Sequence, residues 1–178
     1  MQHTLVCHSA QLSDFDVCGN HLVTCGYSKR NGHYNVDRFL MVYDLRMVKA
    51  IAPIGMNYAP FLLRFVPIYS SKFCVVSPTG QFTLMDTSGP SNPPPFVHSI
   101  ELPPGAAISA FDVSNSSQAL AFGDSSGLVY LFGASSEVIF NVNSMATEFA
   151  DEVSLVVIID ITSDFYPVKN HTTLDECC

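Results

Sequence analysis

The sequence predicts an all-β fold, and three observations support that prediction. The chain has 178 residues, and its 11 Pro and 10 Gly lie in a background that is 48% hydrophobic and only 13% charged. Its apolar runs are short and bounded by Gly, Asn, Ser or Pro, which is typical of strands joined by tight turns. The third observation is a repeat, because residues 12–17 (LSDFDV) recur almost intact as residues 108–113 (ISAFDV), with a looser copy at residues 62–67 (LLRFVP).

The spacing of these copies indicates a β-propeller. Aligning Phe15, Phe65 and Phe111 separates the copies by 50 and 46 residues. Propeller blades of four short strands repeat about every 40–50 residues. We therefore expect one blade to begin at each copy.

The third copy shows the elements of a blade most clearly. Apolar runs at residues 108–114, 118–122 and 128–132 are separated by turn-forming residues at 115–117 and 123–127. Three short strands joined in this way make up most of a four-stranded blade. The other copies predict the same order of strands: residues 12–17, 21–26 and 38–45, with a loop through residues 29–32, and residues 62–67, 72–77 and 81–86.

The predicted organisation is a partial propeller over residues 1–140, followed by a linker and divergent acidic tail over residues 141–178. The three blades are expected at about residues 8–52, 58–102 and 106–140. The link at residues 87–105 contains six Pro, which excludes a helix or a central strand there. Residues 96–102 are a candidate outermost strand, and residues 153–161 are a single apolar run that is a further candidate strand.

Several polar residues stand where WD repeats carry their characteristic motifs. Asp44 follows Tyr43 and Asp86 follows Met85 at the ends of third strands, in the position of the Trp-Asp dipeptide, although the chain has no Trp. Cys7-His8 lies where a WD repeat usually carries Gly-His. We expect His8 to bond to an Asp in the turn between the second and third strands, for which the candidates are Asp37 and Asp124; the corresponding turn of the second copy, residues 77–80, offers none.

A catalytic interpretation of these residues has little support. His8 or His21 with a Cys is the only hydrolase-like combination, and no motif links either histidine to a nucleophile. Asp14, Asp16 and Asp112 alternate with apolar residues, so we expect them to face outward or cap a turn and not to form a catalytic carboxylate pair. We therefore predict no catalytic, cofactor-binding or metal-binding residue in this chain.

The cysteines also lack a metal-binding pattern. There is no C-x-x-C, and four of the six lie in strand-like apolar runs: Cys7, Cys18, Cys25 and Cys74. Free Cys behaves as a small hydrophobic residue in such runs. We expect these four to be packing residues.

The charge is distributed unevenly. Residues 1–72 contain seven bases against four acids, a balance of +3, and the remainder contains one base against twelve acids, a balance of −11. The acidic part disfavours broad binding to a phosphate backbone. A local basic face in the first part is still possible. No apolar run approaches the roughly 18 residues that span a membrane, and the N-terminus lacks a secretory signal pattern, so we expect a soluble, intracellular protein without a membrane partner.

Beyond the repeat, several longer stretches resemble one family. The chain resembles the N-terminal WD-repeat domain of the catalytic subunit of the PAN deadenylase, the poly(A)-binding-protein-dependent poly(A)-specific ribonuclease, over about residues 8–152. The resemblance rests on residues 37–47, 61–67, 111–114, 118–124 and 147–150, in the same order. From about residue 153 the chain departs from the family pattern.

The resemblance implies a cytoplasmic, P-body protein with a seven-bladed propeller. It implies binding to the PAN regulatory subunit, a pseudokinase homodimer, and indirectly to poly(A)-binding protein and poly(A) messenger RNA. The family reaction is 3′-to-5′ exonuclease cleavage by a divalent-metal site in a C-terminal domain that this chain lacks, so no cofactor is expected here. Asp151, Glu152, Asp160 and Asp164 are not expected to be its metal ligands.

Three blades do not close a ring, because each blade buries its faces against two neighbours. We therefore expect an incomplete ring of about three blades that needs the rest of a longer chain or a partner. The leading hypothesis is a non-catalytic scaffold segment of the deadenylase subunit. The alternative is a WD-repeat interaction module of an unrelated complex.

Overall fold

The structure is a computed structural model that describes residues 3–89 and 94–133, and the backbone of residues 157–160. The described residues contain thirteen strands and no helix. In chain order the strands are β1 (Leu12–Cys18), β2 (His21–Arg30), β3 (His33–Val36), β4 (Phe39–Asp44), β5 (Lys49–Gly55), β6 (Leu62–Phe65), β7 (Lys72–Val76), β8 (Gln81–Asp86), β9 (His98–Ser99), β10 (Ile108–Val113), β11 (Ala119–Asp124), β12 (Val129–Gly133) and β13 (Val157–Asp160).

These strands form three sheets that follow one another along the chain, one for each copy of the repeat. The first sheet has the order β1-β2-β4-β5, with β3 paired to β2, and the second has the order β6-β7-β8-β9. Neighbouring strands in both sheets are antiparallel. We call the three sheets blades 1, 2 and 3.

Blade 3 has the order β10-β11-β12-β13. Its first three strands are antiparallel, whereas β13 pairs with β12 in parallel. The strand predicted within residues 153–161 is therefore present as β13. The rest of the predicted linker and tail lies outside the described residues.

Blades 1 and 3 share a local irregularity as well as a sequence. The pairing register shifts between Leu12 and Asp14 in β1, and it shifts between Ile108 and Ala110 in β10. Both shifts fall at the same position of the repeat. Similar sequences have therefore produced the same bulge in both innermost strands.

The core consists of two apolar clusters, one between each pair of neighbouring blades. The clearest evidence is β7, because Phe73 and Val75 belong to the first cluster whereas Cys74 and Val76 belong to the second. Successive side chains of a strand point to opposite faces of its sheet. Blade 2 is therefore buried on both faces, which accounts for the low charge of the sequence.

Two details differ from the sequence prediction. Residues 29 and 30 were expected in a loop, but β2 continues through them and pairs with β3, with Arg30 opposite His33. The two-residue turn between these strands has positive φ at Asn31 (50°) and Gly32 (82°), which is the conformation that Asn-Gly favours in a tight hairpin. In the link, only β9 is a strand within the candidate residues 96–102.

Candidate functional site

The most elaborate polar group of the described residues surrounds His8. Its Nδ1 lies 2.7 Å from a carboxylate oxygen of Asp37, and its Nε2 lies 3.1 Å from Oγ1 of Thr24. The Ser28 hydroxyl donates to the other carboxylate oxygen of Asp37. The predicted contact between His8 and an Asp in the turn after the second strand is confirmed, with Asp37 as the partner.

The segment that carries His8 is held against blade 1 by its backbone. The Ala10 amide donates to the Tyr27 carbonyl (3.0 Å), and the Tyr27 amide donates to the Gln11 carbonyl (2.8 Å). A Cβ at Gly26 would come within 2.6 Å of the Gln11 carbonyl oxygen and 2.9 Å of Cγ of His8. Glycine at position 26 is therefore what allows the imidazole to approach the sheet.

The linkage of Asp37, His8 and Thr24 has the connectivity of a catalytic acid, base and hydroxyl nucleophile. Its burial argues against that use, because the side chains of His8 and Asp37 are 1% and 5% exposed and Thr24 is 1% exposed. A substrate would have to reach the Thr24 hydroxyl, which is sealed inside the blade. The network therefore stabilises blade 1 by linking segments far apart in the sequence.

Two of the four described cysteines, Cys25 and Cys74, are poorly suited to act as nucleophiles. Burial raises the pKa of Cys25 to about 11 and also raises the pKa of Cys74, so both are neutral thiols at physiological pH. Both residues are free and buried, whereas Cys7 and Cys18 are half-buried. Their predicted role as packing residues is confirmed for Cys25 and Cys74, which belong to the apolar clusters.

Blades 2 and 3 replace the histidine network with local hydrogen bonds. In blade 3, Asp124 accepts hydrogen bonds from the Leu128 amide (2.9 Å), Ser126 Oγ (2.7 Å) and Tyr130 Oη (3.0 Å). Desolvation alone would raise the pKa of Asp124, but these hydrogen bonds outweigh it and lower the pKa. In blade 2, Ser77 occupies the turn and its Oγ accepts from the Gln81 amide (3.0 Å).

Tyr58 stands four residues before β6, as His8 stands four residues before β1. It is buried, and its hydroxyl donates to the Val75 carbonyl (2.9 Å). Tyr58, Thr24 and Ser28 were not predicted from the sequence. The partners of these three residues lie 9 to 17 positions away in the sequence, and no compact motif encodes such contacts.

The acidic residues at the ends of third strands cap the turns that follow them. The Arg46 side chain donates to Asp44 (2.7 Å), and this hydrogen bond lowers the pKa of Asp44 to about 2. Asp86 accepts from the Ser88 amide (2.9 Å) and from Ser71 Oγ (2.8 Å). These two residues occupy the position of the Trp-Asp dipeptide and have a local structural role.

Asp14 and Asp16 connect blade 1 to blade 2. Asp14 accepts from the Leu63 amide (3.0 Å) and from the Arg64 guanidinium (2.6 Å), and Asp16 accepts from the Phe65 amide (2.7 Å). The expectation that both would face outward or cap a turn is wrong in the first respect, because both face β6. They satisfy backbone donors of the neighbouring blade, which the sequence pattern of β1 alone does not reveal.

Two exposed surfaces of the described residues are candidate binding surfaces. One is the outer face of β1, where Leu12, Phe15 and Val17 are exposed apolar residues. The other is the hairpin of β2 and β3, where Lys29, Arg30 and Tyr34 are exposed and the Lys29 ammonium lies 5.6 Å from the Tyr34 ring centroid. Asp37, near the base of this hairpin, is buried, so the exposed part is basic and aromatic.

No cluster of three or more His, Cys, Asp or Glu side chains that could hold a metal ion occurs in the part of the chain that the structure describes. A search of the same residues finds no helix that is long and apolar enough to span a membrane.

Comparison with known proteins identifies the family. A model of the family described as PAN2 N-terminal matches residues 1–133. The chain belongs to the PAN2 N-terminal family. Its relatives include the PAN2-PAN3 deadenylation complex catalytic subunit PAN2 of Gallus gallus, 48% identical over 150 residues, and that of Homo sapiens, 46% identical over 150 residues. Each match covers 84% of this chain and 12% of the relative, so the chain spans about an eighth of their length.

The comparison with solved structures confirms the all-β propeller fold with an incomplete ring. The Neurospora crassa Pan2 WD40 domain matches with a TM-score of 0.55 and 28% identity, over 65% of this chain and 36% of that domain. The β-propeller domain of Myceliophteria thermophila Cps50 (Swd1) matches with a TM-score of 0.52 and 14% identity, over 69% of this chain and 38% of that domain. The second similarity concerns the fold alone.

Proposed function

We propose that this chain is a non-catalytic scaffold segment of a PAN2-type deadenylase subunit and contributes to shortening of messenger RNA poly(A) tails through protein contacts. The observation that supports a scaffold role most directly is the burial of the His8 network. Among residues 3–89 and 94–133, the one arrangement of side chains suited to proton transfer is closed to a substrate by its burial. The exposed surfaces, in contrast, are an apolar blade face and a basic hairpin.

The partner we propose is the regulatory subunit PAN3, because the relatives are named as subunits of a PAN2-PAN3 complex. We expect this partner to be a pseudokinase homodimer that brings the chain indirectly to poly(A)-binding protein and poly(A) messenger RNA, in the cytoplasm and in P-bodies. The chain itself needs no cofactor for this role. Divalent metal belongs to the exonuclease reaction of the longer family members.

A pull-down tests the proposed partner. The chicken PAN2 relative, with its matched 150 residues replaced by those of this chain, is immobilised and incubated with purified chicken PAN3. We expect PAN3 to be retained by this chimera as it is by the unmodified relative, and not by an unrelated WD-repeat protein. Loss of PAN3 binding in a chimera that is folded by circular dichroism would overturn the proposed partner.

A pair of charge-reversal variants tests whether the β2–β3 hairpin contacts PAN3. Arg30→Glu changes an exposed hairpin residue, whereas Lys49→Glu makes the same change on the outermost strand of the same blade. Selective loss of PAN3 binding with Arg30→Glu places the contact on the hairpin. Equal binding by both variants excludes the hairpin as a PAN3 contact.

An activity assay tests the non-catalytic role separately. The isolated chain is incubated with a labelled poly(A) oligonucleotide and Mg²⁺, with the intact chicken PAN2 relative as the positive control. We expect no shortening by the isolated chain. Shortening that persists after further purification and is lost with His8→Ala would show that the chain is an enzyme.

A further inference from the structure

The inner strand of blade 3 carries a carboxylate that matches the one joining blade 1 to blade 2. Aligning Phe15 with Phe111 places Asp112 at the position of Asp16. One carboxylate oxygen of Asp16 accepts from the Val17 amide (2.8 Å), and one of Asp112 accepts from the Val113 amide in the same way (2.8 Å). The two side chains are therefore held in the same local conformation.

The second oxygen distinguishes the two residues. Oδ2 of Asp16 accepts from the Phe65 amide of blade 2 at 2.7 Å. Asp112 is exposed, and among the described residues its only hydrogen bond is the local one to the Val113 amide. The other oxygen of the Asp112 carboxylate has no hydrogen-bond partner among the described residues, so it can accept a further donor.

The rest of this face of blade 3 corresponds to the docking face of blade 1. Strand register aligns Asp16 with Val23 and Val42 across blade 1, and those two valines are fully buried against blade 2. The same register across blade 3 aligns Asp112 with two other residues, Ala121 and Leu131. Both are half-buried in the described structure, and their side of the sheet faces away from blade 2.

We propose that Asp112, with the apolar row beside it, is the docking site for the innermost strand of a following blade, and that its free carboxylate oxygen accepts a backbone N–H of that strand. The occupant is a fourth blade of the same polypeptide in longer family members, placed on β10 as β6 is placed on β1. The match to 36% of a solved Pan2 WD40 domain leaves space in the ring for such a blade. This inference does not rest on PAN3 binding.

The blade 2 to blade 3 contact shows that the carboxylate is not a general feature of the fold. Val66 occupies the corresponding position in blade 2, and that contact instead includes a hydrogen bond from the Ile68 amide to Ser117 Oγ (3.0 Å). Asp112 therefore predicts a following interface of the Asp16 type. Position 110 is Ala where blade 1 has Asp14. The predicted interface therefore has one carboxylate, that of Asp112, where the blade 1 to blade 2 contact has two.

Amide hydrogen exchange in two contexts tests the proposal. The first context is the chicken PAN2 chimera, in which the rest of the relative's chain follows the replaced segment, and the second is the isolated chain. We expect Asp112→Ala in the chimera to accelerate exchange about tenfold in the first strand after the replaced segment, because loss of a charge-assisted hydrogen bond uncovers its amide. Asp112→Asn, which keeps one acceptor oxygen, is expected to have an intermediate effect. Glu101→Ala, which removes the same charge from an exposed loop residue, is the matched control.

In the isolated chain, Asp112→Ala is expected to accelerate exchange only at the Val113 amide, which loses its local acceptor, and to leave the other β10 amides unchanged. The proposal would be overturned if amides of the first strand after the replaced segment exchanged equally fast in the wild-type chimera and in the Asp112→Ala chimera. It would also be overturned if Glu101→Ala accelerated their exchange as much as Asp112→Ala does. PAN3 binding by the same chimera is measured independently. A failed docking site and a failed partner assignment therefore give different results.

Discussion

Blades 1 and 3 begin with nearly the same six residues, yet the two copies differ sharply in burial. The exposed fractions of the equivalent residues are 39% for Leu12 and 1% for Ile108, 54% for Phe15 and 6% for Phe111, and 47% for Val17 and 8% for Val113. The sequences and the bulges match, so the difference in burial comes from the neighbouring blade. Blade 2 covers β10, whereas the corresponding face of β1 is open in the described structure.

The largest effect that tests this comparison is expected from truncating the two equivalent phenylalanines. Phe111→Ala removes a ring that stacks on Phe122 (4.9 Å between centroids) inside the second cluster, so we expect it to lower the free energy of unfolding by about 3–5 kcal/mol. Phe15→Ala is expected to cost less than about 1 kcal/mol. Urea titration at low protein concentration measures both values. Similar losses would show that the open face of β1 is covered in solution.

A smaller loss is expected from breaking the His8 network. Asp37→Ala leaves the buried imidazole of His8 and the half-buried hydroxyl of Ser28 without their acceptor, which is expected to cost about 3 kcal/mol. The change should also release the N-terminal segment, so the Tyr27 amide is expected to exchange faster. Asp124→Ala in blade 3 is the comparison, because all the hydrogen bonds that it removes join residues within six positions of Asp124. Loss of stability without faster exchange at Tyr27 would contradict the linking role of His8.

Truncation of the two equivalent carboxylates, Asp16 and Asp112, should give a smaller difference in the free energy of unfolding. Asp16→Ala removes the acceptor of the Phe65 amide at the blade 1 to blade 2 contact, and we expect a cost of about 1.5 kcal/mol. Asp112→Ala in the isolated chain is expected to cost less than about 0.5 kcal/mol, because its described bond is local. Urea titration of the two variants side by side gives the difference. A cost for Asp112→Ala equal to that for Asp16→Ala would mean that Asp112 already has a partner.

The smallest expected effect is on the pH dependence of stability below about pH 4. The hydrogen bonds that outweigh desolvation lower the pKa of Asp124 in the folded state, so its contribution is fully present above the ordinary Asp pKa of about 3.9. It is lost as the pH falls through the lower folded value. The urea midpoint of Asp124→Asn should therefore depend less on pH than that of the wild type below about pH 4. Ser77, its counterpart in blade 2, does not titrate, so Ser77→Ala should leave the pH dependence unchanged.

The features predicted from the sequence were those encoded by local patterns or by the spacing of a known motif. The first three predicted strands of each blade follow from turn residues and apolar runs, whereas β3 and β5 were not predicted. The bond between His8 and Asp37 follows from the motif spacing of WD repeats. The Asn31-Gly32 turn carried a clear hairpin signal, but the strands beside it are polar and the segment was interpreted as a loop.

The contacts between blades could not be predicted in the same way. Asp14 and Asp16 bind backbone amides 49 residues away, and every residue except Pro has such an amide, so the sequence of the partner contains no signal. Alternation of polar and apolar residues suggested solvent on the polar side of β1. In a stack of blades that side faces another sheet.

The burial of β7 on both faces limits which substitutions the middle blade tolerates. Phe73 and Val75 pack towards one neighbour, and Cys74 and Val76 pack towards the other. A strand with one solvent-exposed face can accept polar substitutions at every second position. None of these four consecutive positions faces solvent, so none of them can accept a polar side chain without a buried partner. Drift in this strand is therefore confined to exchanges between apolar side chains of similar volume, and blade 2 should vary least among related chains.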